Sequence, residues 1–187
     1  MSLRWLPNGL CVLRMLLALP TAWLLMHGDY WQTLAVFFIA AVTDAADGYL
    51  AKRFGWQTEL GKALDPLADK LLLVIVFITL AILHLVPGWL AMLVVWRDVL
   101  ITGGAIAYRV LYGPIVGAAP TIISKLNTLV QILYVFLVVL AQAMQWSPAF
   151  GLSLLTWLTA ITTLCSGVDY VLTYSRRAVA ASRAQRQ

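Results

Sequence analysis

The chain has 187 residues, enough for one domain, of which 62% are apolar and 11% charged, with a net charge of +5. Soluble domains carry about 45–50% apolar and about 25% charged residues, so a water-soluble reading leaves too little polar surface to cover the outside. The bilayer is the natural solvent, and the positive balance suits anionic lipid headgroups rather than nucleic acid.

A helix crossing the hydrocarbon core needs about 20 mostly apolar residues. Six such runs are expected, at roughly 8–27, 31–51, 64–84, 88–109, 126–146 and 149–172. The first follows Arg4 and so faintly resembles a secretory signal. Asn8 and Arg14 interrupt its apolar stretch and no small-residue cleavage site follows, so it reads as a retained helix. Turns are expected at His27-Gly28-Asp29, Pro87-Gly88, Gly113-Pro114 and Ser147-Pro148. The two cysteines, Cys11 and Cys165, lie in apolar runs without metal-type spacing and read as packing residues. Gly103 and Gly104 suit close helix approach, as at a dimer seam. Trp5, Trp31, Trp89 and Trp146 fall near expected interfaces.

The organisation expected is all-α and polytopic, a six-span domain over 1–175 followed by a basic cytoplasmic tail over 176–187 that frays from Arg176. Lys52, Arg53, Lys62, Lys70, Arg109 and Lys125 gather at alternate membrane ends, whereas the loops near Asp29, Pro87 and Pro148 hold no Lys or Arg. The positive-inside rule then puts both termini, and the loops after helices two and four, in the cytoplasm. The location expected is a bacterial inner membrane.

The informative stretch is D-A-A-D-G-Y-L-A-K-R-F-G-W-Q-T-E-L-G-K-A-L-D-P-L-A-D, from Asp44 to Asp69. Asp44 and Asp47 are three apart and Asp65 and Asp69 four apart, so each pair shares one helix face. With a short connection between their helices, the two acidic faces can meet at the cytoplasmic end of the bundle. Four carboxylates in one place repel unless a cation compensates. Hard oxygen donors without His or Cys favour Mg2+, Mn2+ or Ca2+ over Zn2+, and two such ions can clamp a diphosphate. Gly48 inside helix two costs about 1 kcal/mol relative to Ala but lets a bulky group approach the backbone. Gly61, one turn before helix three, suits the same purpose, and Lys52 and Arg53 lie where a diphosphate needs neutralising. Ionisable groups within spans are expensive, which favours a functional reading. A cation-coupled transporter is the rival of another class, but neither repeat halves nor broken mid-span helices are visible.

These residues resemble the signature of the CDP-alcohol phosphotransferase family, D-x2-D-G-x2-A-R-x8-G-x3-D-x3-D. Asp44, Asp47, Gly48, Ala51, Gly61, Asp65 and Asp69 match at the right spacing. Lys52 stands where the family has Arg, which keeps the charge but loses the bidentate fork. The resemblance implies a six-helix membrane enzyme, often a homodimer, with a polar active-site cavity open to the cytoplasm. It implies two divalent ions, Mg2+ or Mn2+, held by Asp44, Asp47, Asp65 and Asp69, with Asp69 as general base. It also implies a CDP pocket that includes Asn8, Asp44, Gly48, Ala51, Lys52 and Gly61. The partners implied are CDP-diacylglycerol and a glycerophospholipid or glycerol-phosphate acceptor, with release of CMP.

The opening Leu6-Pro7-Asn8-Gly9-Leu10-Cys11-Val12-Leu13-Arg14 is similar to that of the glycerophospholipid branch. Arg97-Asp98-Val99 and Ile123-Ser124-Lys125-Leu126-Asn127-Thr128 resemble cardiolipin synthases of the eukaryotic type. Phosphatidylglycerophosphate synthases tend to carry a second lysine where Asn127 stands, yet Ser166-Gly167-Val168-Asp169-Tyr170 is common among them, so both acceptors stay open. Candidate acceptor contacts are Arg14, Arg97, Arg109 and Lys125. The bland alternative for Arg97 is an ion pair with an aspartate of the cluster; Asp98 is an awkward partner because it faces another side of the helix. For Arg109 and Lys125 the alternative is snorkelling to lipid phosphates. Asp169 reads as a polar contact between helices six and four.

Overall fold

In lipid an unpaired backbone amide costs several kcal/mol, and a single apolar run of this length can satisfy its own backbone only as a helix. The computed structural model describes residues 6–54, 59–112, 121–146 and 149–184, and the side chains of 13, 15–43, 70–104, 121–146, 150–173 and 175. Every element described is a helix: α1 Leu6–His27, α2 Tyr30–Phe54, α3 Glu59–Ile82, α4 Gly88–Tyr112, α5 Ile122–Ala143 and α6 Ala149–Ala184.

Two of the six are long and apolar enough to cross a membrane within the described residues, Ile122–Ala143 and Phe150–Thr173, and only 33% and 22% of these windows is buried. A soluble core helix would be mostly covered. Instead Leu126, Leu129 and Leu133 on α5 and Leu154, Leu158, Ile161 and Leu164 on α6 point outward. Such surface suits lipid or a protein partner, and together with a 62% apolar composition it fits a membrane setting. Trp31, Trp89 and Trp146 are exposed, as anchors at an interface require.

Three helices end in the same way. Gly28, His84 and Gln145 adopt positive φ of 78°, 56° and 51°. At each, two backbone N–H groups reach back to free carbonyls: Gly28 and Asp29 to Leu25 and Leu24, His84 and Leu85 to Ala81 and Leu80, Gln145 and Trp146 to Gln142 and Ala141. This is the Schellman closure of a helix C-terminus. Only Gly28 is a glycine, so His84 and Gln145 each hold the left-handed region against a steric cost of about 1 kcal/mol. Thr121 caps the start of α5, its hydroxyl accepting from the Ser124 N–H at 3.2 Å.

Three expectations change. Helix α3 starts at Glu59 rather than near residue 64, so Gly61 lies within the helix, because Glu59, Leu60, Lys62, Ala63 and Leu64 are all strong helix formers. Helix α6 does not fray at Arg176 but runs 36 residues to Ala184, since the alanine- and arginine-rich end has high intrinsic helicity. Cys165 is exposed on the lipid-facing side of α6 rather than packed inside.

The helices form two compact units, α1, α2, α3 and the end of α5 from Val135 in one, α4 from Trp89, α5 up to Tyr134 and α6 in the other. In the first unit α1 packs against both α2 and α3. The buried side chains are Ala18 and Leu25 of α1, Phe37 of α2, Val76, Phe77 and Leu80 of α3, and Val138 and Val139 of α5. Its buried hydroxyls turn back on their own helices: Thr21 donates to Leu17 O, Thr33 to Asp29 O and Thr79 to Ile75 O.

Candidate functional site

The signature aspartates all lie on helices of the first unit. Asp44 and Asp47, with Gly48, Ala51 and Lys52, occupy the last turns of α2, and Asp65 and Asp69, with Gly61, occupy the first half of α3. Both helices pack on α1, which carries Asn8 and Arg14 in its first half. The side chains of Asn8, Arg14, Arg109 and residues 44–69 lie outside those described, and so does the 55–58 connection between α2 and α3. Helical backbone at all four aspartates keeps each pair on one face. The donor set is four carboxylates from two helices, all hard oxygen, which fits Mg2+ or Mn2+.

The second unit holds the polar side chains whose geometry is described. On α5, Ser124, Asn127, Gln131 and Tyr134 recur at steps of three, four and three residues; on α6, Thr156, Thr159, Thr163 and Ser166 do the same. That spacing keeps each set on one helix face, and the two faces meet. Tyr134 Oη and Thr156 Oγ1 lie 2.9 Å apart. One rung on, Gln131 Nε2 donates to Thr163 Oγ1 at 3.2 Å, and Thr163 Oγ1 donates to Asn127 Oδ1 at 2.9 Å. Asn127, Gln131, Thr159, Thr163 and Ser166 are all buried, so water cannot replace these bonds.

The ladder ends at Arg97 of α4, which is 3% exposed. Its Nη1 donates to Asp98 Oδ1 at 2.6 Å, and its Nη2 donates to Ser124 Oγ at 2.7 Å and to Ser166 Oγ at 2.5 Å. The pairing with Asp98 corrects the expectation that neighbours on a helix face apart. The long arginine chain folds back, and at this burial an uncompensated charge would cost several kcal/mol, far more than the bend. Gly167 lies beside it, where a Cβ would stand 3.8 Å from Arg97 Cγ, an ordinary contact. Lys125 is exposed, on another face of α5 from the ladder. Asp169, expected in a polar contact with α4, has a buried Oδ2 without a hydrogen-bond partner among the described residues. The close α4–α6 approach is made by Gly104 instead, where a Cβ would lie 3.0 Å from Tyr170 Cε1. Gly103 faces open space.

Sequence reasoning singled out Arg97 and set Asn127 against the second lysine of phosphatidylglycerophosphate synthases, but gave no role to Gln131 or Thr163 and did not foresee that these side chains bond one another. The signal was present: polar residues at steps of three and four in two otherwise apolar spans mark faces that must satisfy each other.

The sequence profile of CDP-alcohol phosphatidyltransferases matches residues 4–175. The chain is 34% identical over 189 residues to the cardiolipin synthase (CMP-forming) of Homo sapiens, and equally to that of Rattus norvegicus, over 93% of its own length. It spans 62% of the length of these two relatives. It is also 34% identical over 136 residues to the CDP-diacylglycerol–glycerol-3-phosphate 3-phosphatidyltransferase of Bacillus subtilis, covering 72% of this chain and 69% of that one.

Proposed function

The chain belongs to the CDP-alcohol phosphatidyltransferase family, and we propose that it moves a phosphatidyl group from CDP-diacylglycerol to a hydroxyl of phosphatidylglycerol, releasing CMP, as a cardiolipin synthase does. The observation that carries this reading is the full set of signature aspartates, Asp44, Asp47, Asp65 and Asp69, within a family match over nearly the whole chain. Similarity to the human and rat cardiolipin synthases over 93% of the chain supports the choice of acceptor.

In this reading Asp44, Asp47, Asp65 and Asp69 hold two divalent cations, Mg2+ or Mn2+, which when bound neutralise the diphosphate and polarise phosphorus. Asn8, Asp44, Gly48, Ala51, Lys52 and Gly61 line the CDP pocket. Asp69 accepts the proton of the acceptor hydroxyl. The hydroxyl oxygen then bonds to the phosphorus nearest the lipid, and the bond from that phosphorus to CMP breaks. Arg14, Arg97, Arg109 and Lys125 are the acceptor contacts. Arg97 is the best supported of them, because a buried guanidinium held by three side chains is already oriented and loses little entropy on binding. The enzyme reads as a six-span homodimer. A basic tail over 176–187, both termini and a polar cavity lie on the cytoplasmic side, as the distribution of Lys and Arg suggests. A bacterial inner membrane remains the proposed location.

A second reading, transfer to glycerol 3-phosphate, is favoured by the similarity to the Bacillus subtilis enzyme. Purified protein given CDP-diacylglycerol, Mn2+ and one acceptor at a time separates the two. CMP release that requires phosphatidylglycerol is the expected result. Release that requires glycerol 3-phosphate selects the second reading, and release with neither makes the chain a hydrolase.

A further inference from the structure

The outward side of α6 is a single stripe. Leu154, Leu158, Ile161, Cys165, Val168 and Leu172 follow one another at steps of four and three and all are exposed, so they share one helix face. A run of this kind suits acyl chains.

The helix does not stop where the large aliphatic side chains do. Leu172 is the last of them, and α6 continues to Ala184. The unbroken backbone carries the same register on through positions 176, 179 and 183, and two of these are arginines, Arg176 and Arg183. A coil beginning at Arg176 would lose that register. Arg177 falls on a different face: it stands seven residues after Tyr170, two turns on in the register that meets Gly104 of α4.

The heights agree with this. Helices α4 and α6 run side by side in one direction, since Trp89 meets Trp157, Arg97 meets Ser166 and Gly104 meets Tyr170. The exposed tryptophan pair marks one membrane interface, and about 20 residues of helix cross the hydrocarbon. Counted from Trp157, that length ends at Arg176 and Arg177. Arg176 is therefore placed at the opposite headgroup layer, with Arg183 about 10 Å further along the axis.

Charge decides the partner. From Tyr174 to Gln187 there are four arginines, Arg176, Arg177, Arg183 and Arg186, and no Asp or Glu. The acids of this unit are Asp98, which bonds Arg97, and Asp169, about 10 Å before Arg176 along α6; Arg109 and Lys125 add further positive charge. Beyond Leu172 the largest aliphatic residue is Val179, too little for an amphipathic anchor that inserts by its apolar face. What remains is attraction to negative headgroups.

We propose that Arg176 and Arg183 form a docking stripe for an anionic phospholipid, whose phosphate accepts from the guanidinium groups while its acyl chains lie along the apolar stripe of α6. Each arginine near the surface contributes about fivefold to local lipid preference. The effect fades within a Debye length of about 8–10 Å, so Arg176 contributes more than Arg183. This docking needs neither CDP-lipid nor metal and stands apart from the transferase reading.

The test uses the full chain in vesicles, with Cys11→Ser and Cys165→Ser and a fluorophore on Val179→Cys, between the two arginines. The quencher is phosphatidylserine or phosphatidylcholine carrying a nitroxide high on one acyl chain. At about 0.1 M salt, quenching by the serine lipid should exceed that by the choline lipid about threefold or more. Salt at about 1 M, where the Debye length is about 3 Å, should bring the ratio near one. Arg176→Gln with Arg183→Gln should lower the ratio below about 1.5, and Arg176→Gln alone should lose more than Arg183→Gln alone. Arg177→Gln should keep it above about twofold. A wild-type ratio near one, or one indifferent to salt, overturns the proposal. Equal losses in Arg177→Gln and the double variant overturn the stripe, since charge count alone would then govern. Loss of the preference in millimolar inorganic phosphate would assign the arginines to a soluble anion, and its displacement by an RNA oligonucleotide would assign them to nucleic acid; either result also overturns it.

Discussion

The first unit is held by shape and the second by hydrogen bonds. Around α1, α2 and α3 the buried side chains are aliphatic or aromatic, and the buried threonines bond their own helices. Between α5 and α6 the buried Asn127, Gln131, Thr163 and Ser166 bond across helices and lead to Arg97, while buried Thr159 bonds Leu155 O of its own helix. In lipid the hydrophobic effect gives helices little reason to associate, because acyl chains are as apolar as leucine; packing and interhelical hydrogen bonds do the work instead. The polar seam therefore has a structural role.

The sharpest way to separate the units is by what their variants lose. Asp69→Asn, in the first unit, should lower CMP release about a thousandfold or more while leaving CDP-diacylglycerol binding largely intact. Near-normal turnover would remove Asp69 as general base. Arg97→Met, in the second unit, should destabilise by about 3–5 kcal/mol because it removes a charged partner of buried Asp98 and the donor to Ser124 and Ser166. The double variant with Asp98→Leu should recover most of that loss in SDS or thermal unfolding.

Phe77→Ala probes the apolar unit. It deletes roughly 100 Å3 of side chain, which at about 24 cal/mol per Å3 of cavity costs about 2 kcal/mol. The water-transfer part of the usual penalty is weak in lipid, so a loss as large as that of Arg97→Met would contradict the contrast between the units. Gly104→Ala should cost about 1–3 kcal/mol through overpacking against the Tyr170 ring, visible as a lower melting temperature. The smallest effect has the opposite sign. His84→Gly relieves the positive φ of 56° at the end of α3 and should stabilise by about 1 kcal/mol or less.

Much was legible before any coordinates. Apolar runs with dense turn residues between them marked all six helices, and the 3, 18 and 4 residue spacings from Asp44 to Asp69 carried the family signature. Boundaries were less legible. Local propensity, rather than the apolar pattern, set the early start of α3 and the long end of α6. Arg97 stood out because a charge in an apolar run is conspicuous. Its pairing with Asp98 did not, because a helical wheel gives Cβ directions and an arginine is long enough to depart from them.

What the sequence by itself determined is the lipid setting, the helices and the acidic signature, since these depend on composition, short-range spacing and backbone hydrogen bonding within each segment. The tertiary structure alone decided which polar faces satisfy each other. Asn127 is one polar residue among many in the sequence. Only the packed helices show that Thr163 bonds its side chain and that the pair is buried from water, because a hydrogen bond between helices is a property of an assembled interior rather than of a residue.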